Sequence, residues 1–312
     1  DKKNFKHILK MSLEEKQTFF QSFDFLLSDC DGVLWILLDK IAGVADSIRR
    51  IRECNKKLAF VSNNSAKGFE IFKLKFQALG LELDKKEMYT PINSVIKYLE
   101  QIEFKGLIYV HGMPVFKNAL RVAGYKIIED QDYPIPRNVD SFDELYPHIK
   151  FDEPIGAVII DSDYNTTYGS LLRAEYILKR NPDALFLCGA SDTLYALDGG
   201  VIGSGWFIHI LEQATHRQVI NLGKPGKLLG DIIMKDFEII DPKRVLFVGD
   251  MLQYDIKFGS VCGFQKLLVL SGGTSKEKLF QHEIKDEIPD YYCDSLADIK
   301  TLIDEISLAN NK

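Results

Sequence analysis

The sequence predicts an α/β fold: a Rossmann-like core built on a parallel sheet, plus an inserted α/β domain. Three observations predict it. Strand and helix patterns alternate at both ends of the chain, acidic residues stand directly after strand-like runs, and the middle stretch carries strands and helices of its own. At 312 residues the chain exceeds the usual single-domain size, which leaves room for a second domain. Hydrophobic residues at 46% against 27% charged give a globular rather than a disordered composition.

In chain order, Ser12 stands as a helix cap before a helix reaching Phe23, in which Leu13, Phe19, Phe20 and Phe23 alternate with charges. The run from Phe23 to Asp29 is apolar enough for a strand covered on both faces. A helix from about Val44 to Lys56 turns Ile48 and Ile51 inward, and Lys57 to Val61 comes next as a strand ending at Ser62. This alternation predicts right-handed crossovers, with ligands gathering beyond the carboxyl ends of the strands. Near the other end Gln218–Leu222, Arg244–Val248 and Lys266–Leu270 read as strands and Lys227–Asp236 as a helix. Between the halves, Leu107–Val110, Ala157–Ile160 and Ala184–Leu187 read as strands, and Tyr168–Lys179 as a helix. The acidic, proline-bearing stretch 129–154 is expected to hold a long loop with one short helix. The expected division is a discontinuous core, 1–103 and 214–312, around an insert at 104–213.

The formal net charge of -6 argues against a nucleic-acid partner, whose phosphates call for clustered Lys and Arg. Five scattered cysteines without a Cys-x-x-Cys pair read as free thiols. No apolar run approaches the ~18 residues of a membrane span, and no basic segment leads into a signal-like apolar stretch, so a cytoplasmic protein is expected.

The sharpest local signal is Asp29-Cys30-Asp31-Gly32-Val33, two carboxylates at i and i+2 after a buried strand, with a turn-permitting glycine behind them. An isolated Asp-x-Asp is more often a helix cap beside a solvated acid. An EF-hand is excluded because glycine falls at position four rather than six. A second acidic strand end, Gly249-Asp250, with Asp255 five residues on, changes the weighing. If both strands share one parallel sheet, Asp29 and Asp250 meet at its carboxyl edge, where their repulsion calls for a hard cation such as Mg2+. Lys224, in Gly223-Lys224-Pro225, stands after another strand and offers a positive charge for a carboxylate or phosphate.

Asp29-Cys30-Asp31-Gly32-Val33-Leu34-Trp35, Ser62-Asn63-Asn64-Ser65, Gly223-Lys224-Pro225 and Gly249-Asp250 with Asp255 succeed one another in the order found in the haloacid dehalogenase superfamily. The chain resembles its branch of 4-nitrophenylphosphatases, phosphoglycolate phosphatases, pyridoxal phosphatases and NagD-type enzymes, with 104–213 as that branch's α/β (C2-type) cap. The resemblance implies a Mg2+-dependent phosphatase with Asp29 as nucleophile and Asp31 as general acid and base. It implies Mg2+ on Asp29, Asp250 and the Asp31 backbone carbonyl, with Asp255 behind them. Ser62, Asn63 and Lys224 would bind phosphate. Small phosphorylated metabolites are the implied partners, 2-phosphoglycolate or pyridoxal phosphate in the cell and 4-nitrophenyl phosphate in vitro, and a homodimer through the cap is implied as well. The chemistry agrees, since phosphoryl transfer needs positioning and charge stabilisation, and a carboxylate can form the covalent intermediate.

Two stretches depart from the pattern. Met251-Leu252-Gln253-Tyr254 lacks an acid, an Arg and a Thr usual in relatives, and Gly189-Ala190-Ser191-Asp192 with Ile202-Gly203-Ser204-Gly205 replaces the usual cap turns. The alternative reading is therefore a protein that keeps the fold and binds phosphometabolites without turnover. A dehalogenase has no need of Asp31, and the short interval from Trp35 to Lys57 leaves no room for a mutase's helical cap. His209 and His216 read as packing or surface residues, Trp35 and Trp206 as core side chains with lining of the site as the second reading, and the glycines from 199 to 205 as a turn.

Overall fold

The computed structural model describes residues 5–195 and 200–310. The chain forms two compact units. The first comprises 1–62, 69–89 and 224–312, and the second comprises 63–68 and 90–223, beginning earlier and ending later than the insert expected at 104–213.

The first unit is built on a seven-stranded, wholly parallel sheet. Its order is Lys6–His7, Tyr291–Cys293, Gln265–Val269, Val245–Gly249, Phe25–Ser28, Lys57–Val61 and Met88–Tyr89. The central strands are buried on both faces, as their unbroken apolar runs require. Ser28 pairs with Val248 on one side and with Phe60 on the other, so both neighbouring strands run only one residue past it, and the residues directly after the three strands line one edge. Ser12 closes the capping box on the helix Leu13–Gln21, its hydroxyl accepting from Glu15 N while the Glu15 carboxylate accepts from Ser12 N at 2.8 Å. The helix Val44–Glu53 buries Ile48 and Ile51 in the core, each worth ~1.5–3 kcal/mol.

The second unit has its own parallel sheet, in the order Ile220–Asn221, Leu185–Cys188, Ala157–Ile160, Ile108–His111 and Ile127–Ile128. Ile220–Asn221 pairs with Leu187 and Cys188, so the strand expected at Gln218–Leu222 does not join the core sheet. Its local pattern reads as a strand whichever sheet it enters, and the choice rests on pairing with a segment more than thirty residues away. The stretch 129–154 contains one short helix, Phe142–Ile149, capped by Ser141. At the carboxyl edge of this sheet Asp130 accepts from Tyr109 OH and from the buried Arg173, each at 2.8 Å. Among the described residues no helix is long and apolar enough to cross a membrane.

Candidate active site

At the carboxyl edge of the seven-stranded sheet, Asp29 comes directly after Phe25–Ser28, and its backbone N–H continues the ladder to Val248 O at 2.8 Å. Asp250 directly follows the neighbouring strand Val245–Gly249, one residue beyond the level of Asp29. Asp255 lies five residues further on, in a π-helical turn, Leu252–Ile256. This wide turn folds Asp255 back on the strand end. Its Oδ2 accepts from the N–H groups of Asp250 and Met251 at 3.1 and 2.9 Å, and a Cβ on Gly249 would come within 2.2 Å of its Cβ. Glycine is therefore needed at position 249. Carboxylate oxygens of Asp29, Asp250 and Asp255 all lie within 4.8 Å of one another.

Lys224 meets two of these acids, its Nζ lying 2.8 Å from Asp29 Oδ1 and 2.7 Å from Asp255 Oδ1. It leads from Gly223 into a cis peptide bond with Pro225, and the next helix opens only at Lys227, so Pro225 stands before that helix rather than as its first residue. Burial alone would lower the Lys224 ammonium, but Asp255 and Asp29 outweigh it and hold the group above its ordinary range. Burial drives the Asp29 carboxyl well above the usual carboxylate range; Lys224 opposes the rise, while Asp255 and Asp250 add to it. Burial and then the Asp255 charge push Asp250 up to about 7. Three carboxylates face one ammonium, so full ionisation leaves two negative charges uncompensated.

One oxygen carries the test of a metal. Asp250 Oδ2 accepts from Gly273 N at 2.6 Å, but Oδ1 is buried and has no hydrogen-bond partner among the described residues. An orphaned carboxylate oxygen in a cluster two positive charges short fits a hard divalent cation. The chain also crowds Asp250 from two sides, since a Cβ on Gly32 or on Gly272 would lie 2.3 or 2.1 Å from its Oδ2. The Asp31–Gly32 backbone therefore runs against the same carboxylate.

Asp31 differs from its neighbours. Its side chain is 43% exposed, and its Oδ1 accepts from Trp35 Nε1 at 2.8 Å. Cys30 between the two acids is fully buried, and its thiol is pushed far up by burial and by the flanking carboxylates, which excludes it as a nucleophile at neutral pH. Ser62 is buried at the end of Lys57–Val61, donating its N–H to Tyr89 O at 2.9 Å. Asn63 belongs to the second unit, where its Nδ2 donates to Asp192 Oδ2 at 2.8 Å. Trp35 is a core side chain as expected, whereas Trp206 is half exposed beside His209. His216 caps the helix Gly205–Thr215 in a left-handed conformation.

Sequence reasoning missed the loop Ser271-Gly272-Gly273. Gly273 holds Asp250, and Ser271 Oγ donates to Gly32 O at 2.7 Å, tying the Asp29 loop down. A Ser-Gly-Gly run directly after a strand was the available signal.

A family profile described as haloacid dehalogenase-like hydrolase matches residues 26–126, and a second, HAD-hydrolase-like profile matches 221–299. The glycerol-3-phosphate phosphatase of Gallus gallus is 29% identical over 94% of this chain and 96% of its own length. Phosphoglycolate phosphatase 2 of Arabidopsis thaliana is 30% identical over 94% of this chain and 98% of its own. Among solved structures, a p-nitrophenyl phosphatase from Archaeoglobus fulgidus superposes with a TM-score of 0.75 at 22% identity, over 90% of this chain and 99% of the other, a likeness of fold.

Proposed function

As a member of the haloacid dehalogenase-like hydrolases this chain is a phosphatase, and we propose that it hydrolyses small phosphomonoesters through a phosphoryl group carried on Asp29, with Mg2+ as cofactor. The observation that carries this reading is the meeting of Asp29, Asp250 and Asp255 at one strand edge, with Lys224 between Asp29 and Asp255 and one oxygen of Asp250 orphaned.

In the first half-reaction a carboxylate oxygen of Asp29 attacks phosphorus, the bond from phosphorus to the ester oxygen breaks, and its electron pair leaves with that oxygen. Asp31 gives the departing oxygen a proton. In the second half-reaction water attacks phosphorus and passes a proton to Asp31, the bond from phosphorus to Asp29 breaks, and inorganic phosphate and a free carboxylate result. Lys224 fixes Asp29 in line through Oδ1 and offsets charge on the transferring group. Ser62 and its neighbour Asn63 donate to the phosphoryl oxygens. Asp255 binds no substrate and holds Lys224 and the backbone of Asp250 in place. Asp29, Asp250 and the Asp31 carbonyl would hold the cation, which when bound neutralises charge on the phosphoryl oxygens.

The named relatives act on different esters, glycerol 3-phosphate and phosphoglycolate among them. We propose 2-phosphoglycolate or pyridoxal phosphate as the physiological substrate, with 4-nitrophenyl phosphate as the reporter. Five free cysteines suit a reducing compartment, and the cytoplasm and a homodimer through the insert complete the reading. Asp29→Asn is expected to abolish Mg2+-dependent release of phosphate from 4-nitrophenyl phosphate, and retained turnover would overturn the nucleophile. The alternative of a binding protein without turnover is favoured only if the unaltered chain releases no phosphate from any of these esters.

A further inference from the structure

We propose that Trp35, assisted by Lys75, is a positioning residue that holds the Asp31 carboxyl group in the orientation needed to protonate the departing ester oxygen. This rests on the reading of Asp31 as the general acid.

Asp31 sits on a partly exposed loop, where a two-torsion side chain would sample several orientations. The loop is folded tightly. Gly32, at φ +84°, donates its N–H to Trp35 O at 2.7 Å, and Leu34 N donates to Cys30 O at 2.8 Å, which brings residue 35 back alongside residue 31. Trp35 is only 2% exposed and its ring meets Phe76 edge to face at 5.7 Å, so the indole is locked by the core. Its one donor, Nε1–H, reaches Asp31 Oδ1 at 2.8 Å. Lys75, on the helix Phe69–Ala78, lays its ammonium over the indole 4.4 Å from the ring centroid and 3.7 Å from the same Oδ1. Its Nζ also donates to Leu37 O at 3.0 Å, which fixes it over the ring. Both contacts fall on Oδ1. A rigid donor from the core and a cation thus pin one oxygen of a carboxyl group whose other oxygen does the chemistry, and an unpinned acid would spend less time in line with the leaving oxygen.

The consequence is selective. A nitrophenolate leaves without a proton, whereas an alkoxide needs one, and kcat/KM reports only the steps through departure of the leaving group. The test compares kcat/KM for 4-nitrophenyl phosphate, phenyl phosphate and glycerol phosphate, with Mg2+ present, in the parent enzyme, Trp35→Phe, Lys75→Met and Asp31→Asn. Trp35→Phe keeps an aromatic ring and removes the donor. It is expected to lower kcat/KM by about tenfold for glycerol phosphate and by less than about twofold for 4-nitrophenyl phosphate, with phenyl phosphate between them. Lys75→Met is expected to act in the same order with a smaller span, and it decides the matter should Trp35→Phe fail to fold. Losses equal across the three esters, or none, in variants of unchanged thermal midpoint would overturn the positioning role. Asp31→Asn separates the two ideas. A graded loss there with no gradient in Trp35→Phe and Lys75→Met rejects the positioning role alone, whereas an ungraded loss in Asp31→Asn rejects Asp31 as the acid.

Discussion

Removing a negative charge from Asp250 should strengthen the metal-free protein while destroying its response to Mg2+. The perturbation is Asp250→Asn, which preserves shape and keeps an acceptor for Gly273 N–H. In the parent, burial and Asp255 raise this carboxyl from its ordinary 3.8 to about 7, so at pH 8 its ionised form costs ~4 kcal/mol, at about 1.36 kcal/mol per pH unit. The sign comes from proton counting. Between 3.8 and about 7 the folded chain binds more protons at this site than the unfolded chain, so metal-free stability falls as pH rises through that window and levels off above it. Part of the gain is lost, because the new amide nitrogen must find an acceptor where Oδ1 has no donor. A net gain of ~2 kcal/mol at pH 8 is the expectation, turning into a net loss of ~1–2 kcal/mol at pH 4, where the charge cost has gone and the amide's cost stays. Urea denaturation in a chelator at pH 4, 6 and 8, repeated with Mg2+, measures both quantities. Equal metal-free stability at pH 8, together with equal stabilisation of both proteins by Mg2+, would refute the cation site and the charge reasoning together.

Lys224→Met leaves Asp29 and Asp255 buried without their ammonium, a change expected to cost about 3–5 kcal/mol in urea denaturation at pH 7 and to remove turnover; stability within about 0.5 kcal/mol, the scatter of a neutral surface substitution, would count against the pairing. In the second unit Asp130 is lowered despite burial, because His111, Tyr109 and Arg173 stabilise its charge. Its contribution is therefore present above its unfolded 3.8 and lost as pH falls below that value, so Asp130→Asn should flatten the acid limb of the stability curve. A parallel acid limb in the variant would show that the network contributes nothing there.

Local pattern carried the core strands. Lys57–Val61 and Ala157–Ile160 are apolar runs bounded by polar residues, and each forms the strand its run predicts. Val44, Ile48 and Ile51 place the helix Val44–Glu53 because their spacing marks one buried face. Sheet membership was less legible: Ile220–Asn221 is strand-like, but its partner is chosen by packing across the chain. The two-residue edge strand Lys6–His7 is too short to leave a periodic signal. At the site, Asp29 and Asp250 could be brought together on paper because a parallel sheet puts all its carboxyl ends on one edge. Trp35 could not be joined to Asp31 in that way, since their contact depends on a loop reversal. The Met251–Tyr254 departures lie at the opening of a π-turn, and Asp255 keeps its backbone donors and its lysine alongside them.

The most direct measurement is an acid quench during turnover of 4-nitrophenyl phosphate labelled in its phosphoryl group, whose leaving group needs no proton from Asp31, with peptide mapping of the quenched chain. One phosphoryl group is expected on the peptide bearing Asp29, in an amount that rises when Asp31→Asn slows its hydrolysis and vanishes in Asp29→Asn. Phosphate released at full rate with no label on the chain, or label on any other residue, would contradict the covalent route.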